Sequence, residues 1–342
     1  TRPLAERPRS RTTGLDSARL ATALERAARL PRLHNIIVAR HGRVVAEQHV
    51  RGPGPATPAN VKSVSKSVLS TLIGIAIETG QLRSVRQPIA PFFEAHLADD
   101  VRKAEITVEH LLSMRSGLES TSGRNYGRWV NSPNWVRHAL DRPLVDEPGG
   151  RMVYSTGSTH LLSAILTQAT GTSTHAYAVE HLARPLDIQL PPWTRDPQGI
   201  YFGGNEMSLS PRALLHFGEL YRNGGVVDGQ RVLSRAWIDD SWGVYGHSRW
   251  NGHGYGYGWW ARTSNGYAVR FAWGYGGQYV FIVPALELTA VFTSDPYAPR
   301  EGPHNRELHR ILDELLVPAA IAGAAGQPPA VGGAGATAAP DR

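Results

Sequence analysis

Residues 64–77 are apolar or small on nearly every face of a helix, from Val64 and Val68 through Leu72, Ile73, Ile75 and Ile77. A helix with no polar side is buried in the middle of a protein. This one ends near Gly80, a residue type suited to the left-handed position past a helix C-terminus. Layers must cover it on all sides, and 342 residues suffice for that. A chain of this size buries about three-quarters of the surface it exposes when unfolded. With 41% hydrophobic and 19% charged residues, the composition excludes a wholly disordered chain. No run approaches the ~18–20 apolar residues of a membrane span, so none is expected.

The covering layers can be read on either side of this helix. A helix is expected over 16–30, with Asp16 as its cap. Residues 35–39 and 44–50 are β-prone runs around His41-Gly42-Arg43, a hairpin signal. From 106 to about 242 the pattern is mainly helical, with candidates at 108–114, 135–140, 158–170, 174–183, 211–223 and 234–240. Strands return at 268–272, 279–283 and 287–293, and a last helix spans about 304–316. The predicted architecture is α+β. An antiparallel sheet is built from both chain ends and flanked by helices, and an all-helical lobe is inserted between them. The sheet lobe takes about 15–95 and 245–317, and the helical lobe about 96–244. A cleft between the lobes is the expected place for a site.

Residues 1–14 form a flexible basic segment, and the Ala/Gly/Pro-rich tail 318–342 reads as disordered. The chain begins at Thr1, so an N-terminal piece is expected to be missing. A periplasmic or secreted location follows if that piece was a signal peptide, and a cytoplasmic one otherwise.

The absence of cysteine excludes disulfides, thiolate metal sites and cysteine nucleophiles. The net charge of +7 is no nucleic-acid footprint. Arg2, Arg7, Arg9 and Arg11 hold much of it at the N-terminus, and the other arginines are scattered rather than striped. Only three of the 36 basic residues are lysine: Lys62, Lys66 and Lys103. A lysine kept against such a bias is a candidate for chemistry that arginine, which stays protonated, cannot perform.

Lys66 is so placed. Ser63 and Lys66 lie three residues apart at the start of the apolar helix and share a face. A neutral amine there can accept the serine proton and activate a nucleophile. Apolar surroundings and a nearby cation would hold it neutral. The same spacing also fits a plain N-cap serine followed by a surface lysine. The chain has no G-x-S-x-G elbow, no H-E-x-x-H, no P-loop and no dinucleotide fingerprint. No cofactor and no metal are expected.

Four ordered segments carry a family resemblance. Ser63-Val64-Ser65-Lys66-Ser67 resembles the first motif of the serine β-lactamase and penicillin-binding superfamily. Residues 106–118, with Thr107, Leu111, Leu112, Met114, Ser116 and Gly117, resemble the T-x-x-x-L-L-x-M-x-S-G segment of its class C and esterase branches. Gly149-Gly150-Arg151-Met152-Val153-Tyr154-Ser155-Thr156-Gly157 is similar to the segment with the second motif, Y-x-N. Ala272-Trp273-Gly274-Tyr275-Gly276-Gly277-Gln278 falls where the third motif belongs. The resemblance covers about 30–316. It is nearest to the 6-aminohexanoate-dimer hydrolase and class C-like esterase branch, through Gly74-Ile75-Ala76-Ile77, Tyr154-Ser155-Thr156 and the Gly274–Gln278 stretch.

The resemblance implies a serine hydrolase cleaving small esters or linear amides through an acyl-enzyme on Ser63. Lys66 and Tyr154 would manage the proton, Tyr154 as tyrosinate or through a relay with the lysine. The backbone N–H groups of Ser63 and Tyr275 would hold the oxyanion. Tyr126, Thr156, Trp273 and Gly274 are the expected substrate contacts. Tyr126 also fits an aromatic packed against Trp129 or Trp135, and Gly274 fits a tight turn. Thr156 replaces the asparagine of the lactamases, and Ala272 falls where they carry a cation for the lactam carboxylate. Both departures weaken a β-lactamase reading. A β-lactamase, a D-amino-acid peptidase or DD-carboxypeptidase, and a non-catalytic ligand-binding relative are the alternatives. The oligomeric state is not legible.

Overall fold

The structure, a computed structural model, describes residues 14–97, 99–299 and 302–325. Residues 1–13 and the tail beyond 325, expected to be flexible, lie outside the described residues. The sheet comprises β1 (Leu33–Arg40), β2 (Arg43–His49), β3 (Gly246–His247), β4 (Gly254–Tyr255), β5 (Trp260–Ser264), β6 (Tyr267–Gly274), β7 (Gln278–Val283) and β8 (Leu288–Ser294). Their spatial order is β2-β1-β8-β7-β6-β5-β4-β3. Each adjacent pair is antiparallel. The N-terminal hairpin thus pairs with the last strand, Ile37 opposite Val291, as both chain ends must to close one sheet.

Strand periodicity assigns the two faces. Ile36 and Val38 join Tyr279, Phe281 and Phe292 in one core, while Ile37 and Ala39 join Val280, Ile282 and Val291 in the other. The first core is covered by helix α1 (Ser17–Ala28), whose cap Asp16 accepts from Arg19 N. The second is covered by helix α2 (Val64–Glu78), buried from Val64 through Ala76. Helix α3 (Thr156–Thr170) packs on α2, and helix α4 (Pro211–Arg222) lies against β7 and β8. Close approach there needs glycine: a Cβ on Gly218 would lie 2.7 Å from Val280 Cγ1. Among the described residues no helix is long and apolar enough to cross a membrane.

Two findings depart from the expectations. The sheet extends past β6 to three further strands, because Trp260 and Ala261 pair with Phe271 and Arg270. Residues 318–325, expected to belong to a tail, are helical. Helix α5 (His304–Ile311) is followed by further helical turns, including Val317–Ala325, with Val317, Ala319 and Ala320 fully buried. Small residues suffice there because the approach is close. Asp16 N donates to Ala319 O, and Arg40 NH2 donates to Ala320 O.

Candidate active site

The site is built around the first turn of α2. Asn60 Oδ1 accepts from Lys62 N at 2.8 Å, and Lys62 takes a left-handed backbone with φ +52°. Such a conformation costs a non-glycine residue about 1–2 kcal/mol and is kept only where surroundings enforce it. The Lys62 ammonium pairs with Glu206 at 3.2 Å. Ser63 follows at the N-cap position, yet its side chain makes no capping bond. Its Oγ instead accepts from Lys66 Nζ at 2.9 Å. The plain capping reading is therefore excluded, and Lys66 is no surface residue: it is 1% exposed.

The three lysines divide clearly. Lys62 pairs with Glu206, and the buried Lys103 pairs with Asp99 at 2.7 Å. Lys66 donates to Ser63 Oγ and to Gly204 O at 2.7 Å, and has no carboxylate partner among the described residues. Burial alone pulls its ammonium down to about 7. The nearby cation expected from the sequence is not needed. Tyr154 completes the group: its ring lies 5.0 Å from Lys66 Nζ, and with Ser63 it lines one cleft. Burial pushes its phenol up to about 12, with the Ser63 hydroxyl pulling the other way. Near neutral pH this pair is an amine that can lose its proton beside a phenol that keeps its own. That geometry does not favour tyrosinate.

The Gly204 carbonyl was not singled out in the sequence. The 203–207 loop is pressed onto α3, where a Cβ on Gly204 would collide with Thr159 Oγ1 and lie 2.9 Å from Thr156 Cγ2. Gly203 N donates to His160 Nδ1, and His160 Nε2 bonds to Asp196, both fully buried side chains. Asn205 Nδ2 donates to Tyr126 Oη, and Met207 N donates to Ser65 Oγ. The Gly-Gly pair is the only local sequence signal for this support. Gly204→Ala is expected to displace the carbonyl and lower ester kcat/KM by about 10²-fold, the cost of misplacing a reacting group by about 1 Å. Steady-state assays with p-nitrophenyl butyrate check this.

A cleft of about 520 Å3 opens over Ser63, walled by Tyr154, Trp250, Trp260, Trp273 and Tyr275. Of the expected substrate contacts, Trp273 lines it. Thr156 stands behind the wall, its Oγ1 2.9 Å from the Oγ of Ser122, which does line the cleft. Tyr126 is packed against Trp129 and Phe202 and held by Asn205, so it supports the lysine's loop rather than the cleft surface. Gly274 also lies behind: a Cβ there would collide with Val61 O, so the end of β6 rests on the backbone leading to Ser63. This contact brings Tyr275 to the cleft beside Ser63. The turn is braced by Gln278 Nε2, which donates to Ser294 O at 2.7 Å, and by Gly276 and Gly277 at positive φ. Trp242 and Trp259 belong to the helical-side core. Ala272, fully buried, faces that same core and pairs with Val280.

Comparison with known proteins gives the family and the fold. The β-lactamase family profile matches residues 34–314. The chain is 26% identical over 224 residues to a 6-aminohexanoate-dimer hydrolase of Paenarthrobacter ureafaciens, a match spanning 59% of this chain and 55% of that protein. It thus spans little more than half the length of that curated relative. A protein of Bacteroides dorei DSM 17855 described as a β-lactamase superposes with a TM-score of 0.76 at 17% identity, covering 90% of this chain and 99% of that one. The hydrolase EstCE1, described as having promiscuous acyltransferase activity, gives a TM-score of 0.72 at 21% identity over 87% of this chain and 98% of its own. At such identities these structures speak for the fold alone. With its four motif segments in order along one matched span, the chain belongs to the β-lactamase family, whose members are serine hydrolases.

Proposed function

We propose that the protein hydrolyses small esters or linear amides through an acyl-enzyme on Ser63, without a cofactor. The observation that carries this reading is the 2.9 Å contact between Ser63 Oγ and a buried Lys66 whose pKa falls to about 7. In the neutral amine the sense of that contact reverses, and the Ser63 O–H donates to the Nζ lone pair. Gly204 O keeps the amine oriented. As Ser63 attacks the carbonyl carbon, its proton passes to Lys66. The Tyr154 hydroxyl, beside Ser63 in the cleft, relays a proton from Lys66 to the departing alkoxide or amine. The N–H groups of Ser63 and Tyr275 face the developing oxyanion. Water then attacks the acyl-enzyme, the same groups taking its proton and returning one to Ser63. The amide arm of the proposal rests on the likeness to the 6-aminohexanoate-dimer hydrolase.

Ala272 bears on the substrate. It offers no cation to a lactam carboxylate, and its methyl is sealed in the core. p-Nitrophenyl butyrate is therefore expected to give a higher kcat/KM than nitrocefin, by at least about tenfold if one carboxylate contact is missing. A panel of both substrates with a short linear amide tests this. Faster cleavage of nitrocefin would overturn the ester and amide assignment.

A further inference from the structure

A second cleft, of about 340 Å3, adjoins the aromatic one and shares Ser122, Gly123, Tyr154 and Trp250 with it. Its chemistry is different. Arg151 and Arg249 line it with Ser120 and Ser248, and no carboxylate does so among the described residues. Arg151 is partly neutralised by Asp146, which lies 3.7 Å from its Nε. Arg249 is exposed and lies outside ion-pair distance of any carboxylate among the described residues, though its charge also acts on Asp146. Trp250 stands between the two clefts at the tip of the β3–β4 hairpin. It is 68% exposed, yet its ring packs edge-on against Tyr154 at 5.6 Å. The hairpin is tied by Ser248, whose N donates to His253 O and whose Oγ accepts from Trp250 N.

We infer that the Arg151–Arg249 cleft is an anion subsite of the same active centre. Its ligand is a carboxylate carried by the ester or amide substrate, whose apolar part lies across Trp250 against Trp260 and Trp273. Three features support it. Two guanidinium groups suit a planar carboxylate. The lining has serine hydroxyls and no carboxylate of its own, Asp146 drawing on both arginines from outside it. The dividing wall includes Tyr154, which lines both clefts and borders the first together with Ser63, so a short linker spans from the reacting carbonyl into either cleft. Arg32, which lines the aromatic cleft, donates to Pro299 O and is not part of this subsite. The inference rests on the serine-hydrolase reading of Ser63.

The test compares charged and neutral substrates within each enzyme. Mono-p-nitrophenyl adipate against p-nitrophenyl hexanoate puts the carboxylate on the acyl side. 3-Carboxyphenyl butyrate against phenyl butyrate puts it on the leaving group. In the wild type, one of these pairs is expected to favour the charged member in kcat/KM by about tenfold, mainly through KM, as a charge-assisted contact would give. The preference should shrink with added salt and fall to about unity in the Arg151→Gln/Arg249→Gln double variant, with Arg249→Lys retaining part of it. A ratio at or below one for both pairs, or a preference that survives in the double variant, overturns the subsite. Failure of the serine reading looks different: no turnover of any of the four esters and no fluorophosphonate adduct on the wild type. In that case the subsite falls with it.

Discussion

Ser63→Ala is expected to lower kcat/KM for p-nitrophenyl esters by roughly 10⁴–10⁶-fold, the scale on which removing a serine nucleophile acts. The fold should survive. The hydroxyl fills little space, makes no helix cap and supplies one of two hydrogen bonds to Lys66. Losing one such bond costs about 1 kcal/mol, a change in Tm of a few degrees at this size. Esterase assays and a thermal melt of the same preparation check both halves. A variant that melts far below the wild type would mean that the Ser63 oxygen is structural. One that melts normally and still turns over the ester would mean that another group is the nucleophile.

The second large effect is at Lys66. Lys66→Arg is expected to be nearly as inactive as Lys66→Met, both down by roughly 10²–10⁴-fold, the range for loss of a general base. Arginine keeps the charge but does not release its proton at accessible pH. The site also has little room for a guanidinium, since Nζ sits 1% exposed between Ser63 Oγ and Gly204 O. In the wild type, ester kcat/KM should fall on the acid side through an apparent pKa near 7, because below it the amine is protonated and cannot accept. A Lys66→Arg enzyme within about tenfold of wild type, or an acid limb far from 7, would remove the general-base role.

The same buried amine has a signature in stability. The folded state lowers the Lys66 pKa from 10.5 to about 7, so between those values the unfolded chain binds more protons and stability rises with pH. The penalty is full below about pH 7 and vanishes above about 10.5. Its size where complete is on the order of 5 kcal/mol. Lys66→Met should therefore stabilise the protein relative to wild type at about pH 6, and the gain should shrink towards about pH 10. Urea unfolding at the two pH values checks this, and a gain independent of pH would deny the shifted amine.

Much of this was legible in the chain itself, for identifiable reasons. Helix α2 announces its burial because 64–77 lacks a polar face. The α+β architecture follows from β-prone runs at both ends of a helical middle. Ser63, Lys66 and Tyr154 are brought together as the motif resemblance implied. What was missed lies mostly in contacts made by backbone or across long separations. Gly204 contributes a carbonyl, which carries no side-chain signature, and reaches Lys66 from 138 residues away in sequence. Ser122 lines the cleft in front of Thr156 because two distant loops meet there. Tyr126 carries the aromatic pattern of a substrate contact, but packing against Trp129 and Phe202 turns it to a supporting position. Residues 318–325 carry a tail-like composition because Ala and Gly suggest no core. Here their small size is what lets the segment dock against Gly14 and Asp16.

In the proposed reaction, Ser63 is the residue that becomes acylated. Peptide mapping by mass spectrometry after reaction with a fluorophosphonate tests it most directly, run on the wild type at about pH 8, where Lys66 is largely neutral. A single phosphonyl adduct is expected on the peptide containing Ser63, formed at the rate at which ester turnover is lost and absent from Ser63→Ala. An adduct on a different residue, or full loss of turnover with Ser63 unmodified, would contradict it.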